Sequence, residues 1–160
     1  MTQIVLDAYV FDVDVEKTKH YYQTHSLCEC DGCRNFYGQV RQVYPELAEF
    51  LQKFGADVEK PDETPWWAVD GRIEYTPFYT VIGTAAFSRA CEINLGTMQL
   101  LITRGEDPLH YIPNEQKEPY FVIGVYNLDL PWVLDEPYPE EPEVEPVLSI
   151  FQKIKKLFRR

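Results

Sequence analysis

The residues able to do chemistry sit together. His25, Cys28, Cys30 and Cys33 fall within nine residues, a stretch holding three of the four cysteines and one of the three histidines. Thiolate and imidazole are the preferred ligands of zinc, and a closed structural site needs four of them. The run His25-x2-Cys28-x-Cys30-x2-Cys33 offers four in order, with Cys30 and Cys33 at ordinary knuckle spacing. Four ligands on one short loop make a cramped site, whereas structural zinc generally pins two distant segments. Three local cysteines with a distant fourth ligand fit better. Cys91 is the natural fourth, followed by His20 and His110.

Two other readings of the cluster stand beside zinc. Cys30-Asp31-Gly32-Cys33 has the spacing of a redox dithiol, but Asp31 adjoins both sulfurs and opposes thiolate formation. The chain also lacks the alternating βαβ order of thioredoxin-like oxidoreductases. The plainest reading is of thiols with no bound metal, since free cysteine packs as a small hydrophobe. Arg34 follows the last cysteine. Its guanidinium is a fork for carboxylates and other anions, so it is either an anion contact beside the site or the partner of Asp31, Glu29 or another acid.

The elements that must position these groups are an N-terminal strand and a helical segment. Residues 4–13 are apolar with period two, which predicts one strand buried on at least one face. Asp14 caps a short helix over 15–24, with Glu16 in the first turn where the helix dipole favours acid. Asp31 is the expected N-cap of a second helix running to about residue 43 on the spacing of Phe36, Val40 and Val43. Pro45 starts a third, with Leu47, Phe50, Leu51 and Phe54 on its apolar face and Gly55 as its stop. Beyond it, Asp70-Gly71 is a two-residue hairpin turn between 66–69 and 72–75. Residues 78–86, 91–95, 98–103 and 120–128 read as further strands, with Gly96-Thr97 a tight turn. The expected fold class is α+β: one mainly antiparallel sheet with the helices on one face.

The cysteine run with Arg34, Asn35, Phe36 and Tyr37 behind it, and with Pro45-Glu46-Leu47 and Gly55 downstream, resembles a set of small uncharacterised bacterial proteins. The resemblance spans about the first half of the chain. It implies a bacterial cytosolic setting and brings no activity, cofactor or catalytic residue.

Composition bounds the rest. With 160 residues, 45% of them hydrophobic and 14% aromatic, the chain supports one ordinary domain and is not intrinsically disordered. A net charge of −11 repels phosphate backbones, which disfavours nucleic acid as a partner. The N-terminus meets Asp7 before any apolar run forms, so no signal peptide is expected. No stretch has the length and apolarity of a membrane span. Clustered cysteines in a cytoplasmic chain read as metal or redox chemistry. No Gly-rich phosphate loop, Ser-centred elbow or His-Glu-x-x-His motif occurs. Glu74 and Glu92 are catalytic carboxylates only by guess. Trp66, Trp67, Tyr75, Phe78 and Tyr79 form either an aromatic cleft or core.

The expected organisation is a domain over 1–134, an acidic Pro-rich linker over 135–146 and a basic amphipathic helix over 147–160. The last segment carries five basic and no acidic side chains, which leaves 1–146 with ten basic and 26 acidic, a net −16. Such a tail docks first on its own body, then on a protein partner; a membrane surface is the least favoured target. Function is expected to be non-catalytic binding or accessory work with a structural zinc site. The alternatives are a metal- or thiol-dependent enzyme, a redox sensor, or an acidic inhibitor that shields a basic target.

Overall fold

A computed structural model describes residues 1–87, 90–105 and 118–140. His110 and the whole 147–160 segment lie outside these. The described chain is α+β, with nine strands and four helices in the order ββαααα followed by seven strands.

The apolar run at the N-terminus is a hairpin rather than one strand. β1 (Thr2–Leu6) and β2 (Tyr9–Val13) pair antiparallel, Leu6 opposite Tyr9. Asp7 turns the chain with φ 51°, a left-handed conformation that aspartate tolerates better than most residues. α1 (Val15–Thr24) starts as its sequence indicates, with the Asp14 carboxylate accepting from Lys17 N at 3.1 Å. It packs on the sheet through Tyr22, whose hydroxyl donates to Thr80 O at 2.8 Å, and through Thr18, whose hydroxyl accepts from Ile82 N.

The second helix differs in two ways. α2 (Asp31–Tyr37) has Cys30, not Asp31, at its N-cap, and Asp31 in the first turn pairs instead with Arg34 three residues on. It also stops six residues short of the expected end. Gln39 Nε2 donates to Asn35 O and to Pro131 O, both at 2.9 Å. A side chain thus takes the helix carbonyl, and the backbone tightens to a Gln39 N–Phe36 O bond. α3 (Val40–Val43) and α4 (Pro45–Lys53) follow. Gly55 has φ 82°, and a Cβ there would meet Val15 O at 2.5 Å, so this stop also brings α4 against α1.

The strands form two sheets rather than one. β5 (Phe78–Ala85), β6 (Cys91–Leu95), β7 (Met98–Arg104) and β8 (Tyr120–Tyr126) join the first hairpin in a six-stranded sheet of order β1-β2-β5-β8-β7-β6. β3 (Trp66–Val69), β4 (Arg72–Tyr75) and β9 (Leu128–Pro131) make a three-stranded one. Every pairing is antiparallel. The Asp70-Gly71 turn forms as expected, both residues at positive φ. The expected strand over 120–128 breaks at Asn127, φ 59°, where the chain leaves one sheet for the other.

One core joins both sheets and the helices. Phe11, Phe54 and Phe121 meet at ring centroid distances of 5.3 to 6.0 Å, tying β2, the end of α4 and β8 together. Among the described residues no helix is long and apolar enough to cross a membrane.

Candidate metal centre

The start of α2 converges on three sulfurs. The Sγ atoms of Cys28, Cys30 and Cys33 all lie within 4.8 Å of one another; Cys28 and Cys30 are exposed and Cys33 is buried. A tetrahedral zinc with bonds of about 2.3 Å holds its sulfurs roughly 3.8 Å apart, so small side-chain rotations suffice to close on an ion. The three sulfurs open into a cleft of about 280 Å³, walled on its far side by Tyr37, by residues 62–65 and by Trp66.

Each wall is fixed by bonds of its own. Segment 62–65 is stitched to β5: Asp62 N donates to Phe78 O and Phe78 N to Glu63 O, both at 2.9 Å, and Thr76 N donates to Pro65 O. Trp66 lies flat against the first turn of α2, where a Cβ on Gly32 would overlap the indole. Gly32 is therefore needed for close approach, its φ being ordinary. Asn35, fully buried, clamps α2 from behind. Its Nδ2 donates to Tyr75 OH (2.9 Å) and Pro131 O (3.1 Å), and its Oδ1 accepts from Val133 N (2.9 Å). Tyr75 OH in turn donates to Gly32 O at 2.9 Å, inside the cysteine motif. The three-stranded sheet and the segment after β9 thus hold one short helix in place.

The electrostatics separate the thiols. Burial raises the Cys30 thiol, but the Cys33 N–H, the thiols of Cys28 and Cys33 and the Trp66 indole N–H outweigh it and leave Cys30 below its ordinary value. Burial, reinforced by the neighbouring Cys30 sulfur, pushes Cys33 up to about 12. Burial, then the neighbouring Cys33, holds the Tyr37 phenol well above the usual range. Asp31 is not the obstacle that its position in sequence indicates. At the start of α2 it points to Arg34, 2.7 Å away.

The other expected ligands lie elsewhere. His25 is half-buried beside the Tyr21 ring, with Nε2 3.2 Å from Pro61 O. His20 is exposed on α1. Cys91 is fully buried in the edge strand β6, and burial, then the charges of Asp7 and Glu92, push its thiol up to about 11. Among the described residues, no fourth His, Cys, Asp or Glu joins the three sulfurs. Arg34 is committed, bonded to both Asp31 and Glu136. Of the aromatic set, Trp66 walls the cleft, Tyr75 and Tyr79 belong to the core, and Trp67 is 40% exposed with its indole on Glu74 Oε2. Glu92 is exposed.

Sequence reasoning missed two groups. Asp62 accepts from the Tyr21 hydroxyl and from Thr80 N, and burial raises its carboxyl despite both bonds. Thr64, 6% exposed, borders the cleft, and its buried hydroxyl has no hydrogen-bond partner among the described residues. Neither has a local signal in sequence, because both face residues that only the strand pairing brings near. Comparison with protein-family models, with curated proteins and with solved structures finds no match.

Proposed function

We propose that this chain is a metal-binding accessory domain, holding zinc on Cys28, Cys30 and Cys33 in a bacterial cytosolic setting. The observation that carries the reading is the mutual approach of three sulfurs within 4.8 Å on a braced helix start. Soft thiolates favour zinc over the hard divalent ions. The N–H donors on Cys30 suit a sulfur that carries charge. The site fixes the loop ahead of α2 and the packing of Trp66, and leaves the surrounding surface for a partner. The 147–160 tail, net +5 against a −16 body, docks on that body or on a protein partner. The test is a thermal melt of chelator-treated protein with zinc added back. A ligand at a hundred times its Kd adds about 2.7 kcal/mol, so the midpoint rises by several degrees. Cys33→Ser abolishes the rise; a rise that survives in Cys28→Ser, Cys30→Ser and Cys33→Ser alike would defeat the proposal.

A second reading has its own observation. An exposed, lowered Cys30 beside a buried, raised Cys33 is the division of labour of a redox dithiol. In it, Cys30 thiolate attacks a disulfide oxidant, and Cys33 then displaces the mixed disulfide, giving a Cys30–Cys33 bond and two reduced thiols. Equilibration in glutathione buffer followed by mass analysis separates the two readings. Zinc-loaded protein resists the loss of two hydrogen atoms, about 2 Da, that marks the disulfide, whereas a redox protein forms it irrespective of zinc.

A further inference from the structure

Among the described residues the three sulfurs have no fourth His, Cys, Asp or Glu within the same 4.8 Å, so a further protein ligand has to swing in from the cleft wall. That wall carries two carboxylates, Asp62 and Glu63. Both oxygens of Asp62 are taken, Oδ1 by the Tyr21 hydroxyl and Oδ2 by Thr80 N at 2.7 Å. Glu63 is differently placed. Its main chain is pinned to β5, with Phe78 N donating to Glu63 O at 2.9 Å. Its side chain is exposed and makes no hydrogen bond or ion pair among the described residues. A carboxylate on free rotors, set on a fixed backbone at the edge of a thiol cleft, turns toward an ion without breaking any bond of the fold.

We propose that Glu63 supplies the fourth ligand, one carboxylate oxygen closing a tetrahedral site with the sulfurs of Cys28, Cys30 and Cys33. This rests on the metal reading above. Carboxylate oxygen is an ordinary zinc ligand, and a single oxygen completes the four-coordinate shell that structural zinc takes. The complex is net negative, and it sits where Cys28, Cys30 and Glu63 all face water, which weakens the repulsion. The ligand's place in the chain gives the ion its work. The cysteines ride the start of α2 and the loop before it, whereas Glu63 belongs to the segment stitched to β5. The Asn35 clamp ties α2 to Tyr75 of the three-stranded sheet; the ion ties it to the six-stranded sheet through residues 62–65.

Cobalt(II) loaded in place of zinc, in a phosphine reductant that adds no thiol, reports the sulfur count through its sulfur-to-metal charge-transfer band. Glu63→Cys raises the band by about one third as three sulfurs become four. Glu63→Ala keeps the three-sulfur band and binds zinc at least about tenfold more weakly in competition with a chromophoric chelator, tenfold being the loss that even an outer-shell partner brings. Metal-free Glu63→Ala melts with the wild type, because an exposed side chain without partners holds nothing in the fold; the lost affinity is then a lost ligand. A band that Glu63→Cys leaves at three sulfurs, or a zinc affinity that Glu63→Ala leaves unchanged, overturns the inference while the metal reading stands. No cobalt band in the wild type removes the metal reading itself, and this inference with it.

Discussion

Single residues in this protein are held by one of two conditions, full satisfaction or its absence. Asn35 is the satisfied case. Three hydrogen bonds from one buried amide join α2 to Tyr75, Pro131 and Val133. Asn35→Ala leaves Val133 N unpaired and takes one of two bonds from Tyr75 OH and from Pro131 O, and is expected to cost about 3 kcal/mol, read as a lower denaturant midpoint at unchanged m; a cost below 1 kcal/mol would contradict the clamp. Thr64 is the opposite case. Removing its unpartnered hydroxyl by Thr64→Val should stabilise the metal-free protein by about 1 kcal/mol, and a destabilised variant would show that the hydroxyl has a partner after all. Cys91 gives a pH signature. Its folded value is raised to about 11 from an ordinary 9.0, so the unfolded chain ionises first. The stability it contributes is full below about pH 9 and is lost as pH climbs through 11, by roughly 2 to 3 kcal/mol at 1.36 per unit. The stability gap between wild type and Cys91→Ala, measured by denaturation across that window, should close from the wild-type side. A gap independent of pH would count against it.

At the scale of elements, helices with sharp ends were legible in sequence and chain reversals inside apolar runs were not. Asp14 and Pro45 mark the starts of α1 and α4 through cap chemistry that operates within one turn. Asp70-Gly71 marks its hairpin for the same local reason. Asp7 and Asn127 carry equally decisive positive φ angles, yet each sits in an otherwise unbroken strand pattern that hides it. The end of α2 was hidden differently. Gln39 ends it by bonding Asn35 O and Pro131 O, and Pro131 is 92 residues away. The cysteine triad was legible because all three sulfurs ride one turn and the loop before it, while the cleft opposite them depends on segment 62–65 meeting β5. Gly32 tests the junction of the two. Gly32→Ala forces Trp66 off α2 and is expected to lower zinc affinity at least tenfold, with a red-shifted tryptophan emission as its optical sign. Unchanged affinity and emission would mean that Trp66 is not a wall of the site.

The whole molecule reads as a braced platform for one short loop. The core runs unbroken through two sheets and four helices, and the start of the acidic segment belongs to it in part: Trp132 Nε1 donates to Glu136 O, Tyr138 OH to Arg72 O, and Arg34 pairs with Glu136. These bonds tie residues 132–138 to α2 and β4. If that segment docks on the −16 body, carboxylate–amine cross-links from Lys153, Lys155 and Lys156 to residues 1–140 should form in dilute monomer. They should fade as salt shortens the Debye length from about 10 Å towards 3 Å; cross-links only between molecules would place the partner outside the chain. The central claim is the metal. Elemental analysis of protein purified without a histidine tag, run with a thiol titration before and after chelation, tests it most directly. The account predicts one zinc per chain, three thiols that become reactive only when the chelator removes it, and the same zinc content in Cys91→Ser and His25→Ala. Metal-free protein whose Cys28 and Cys30 react at once, or zinc that disappears with Cys91 or His25, would contradict it.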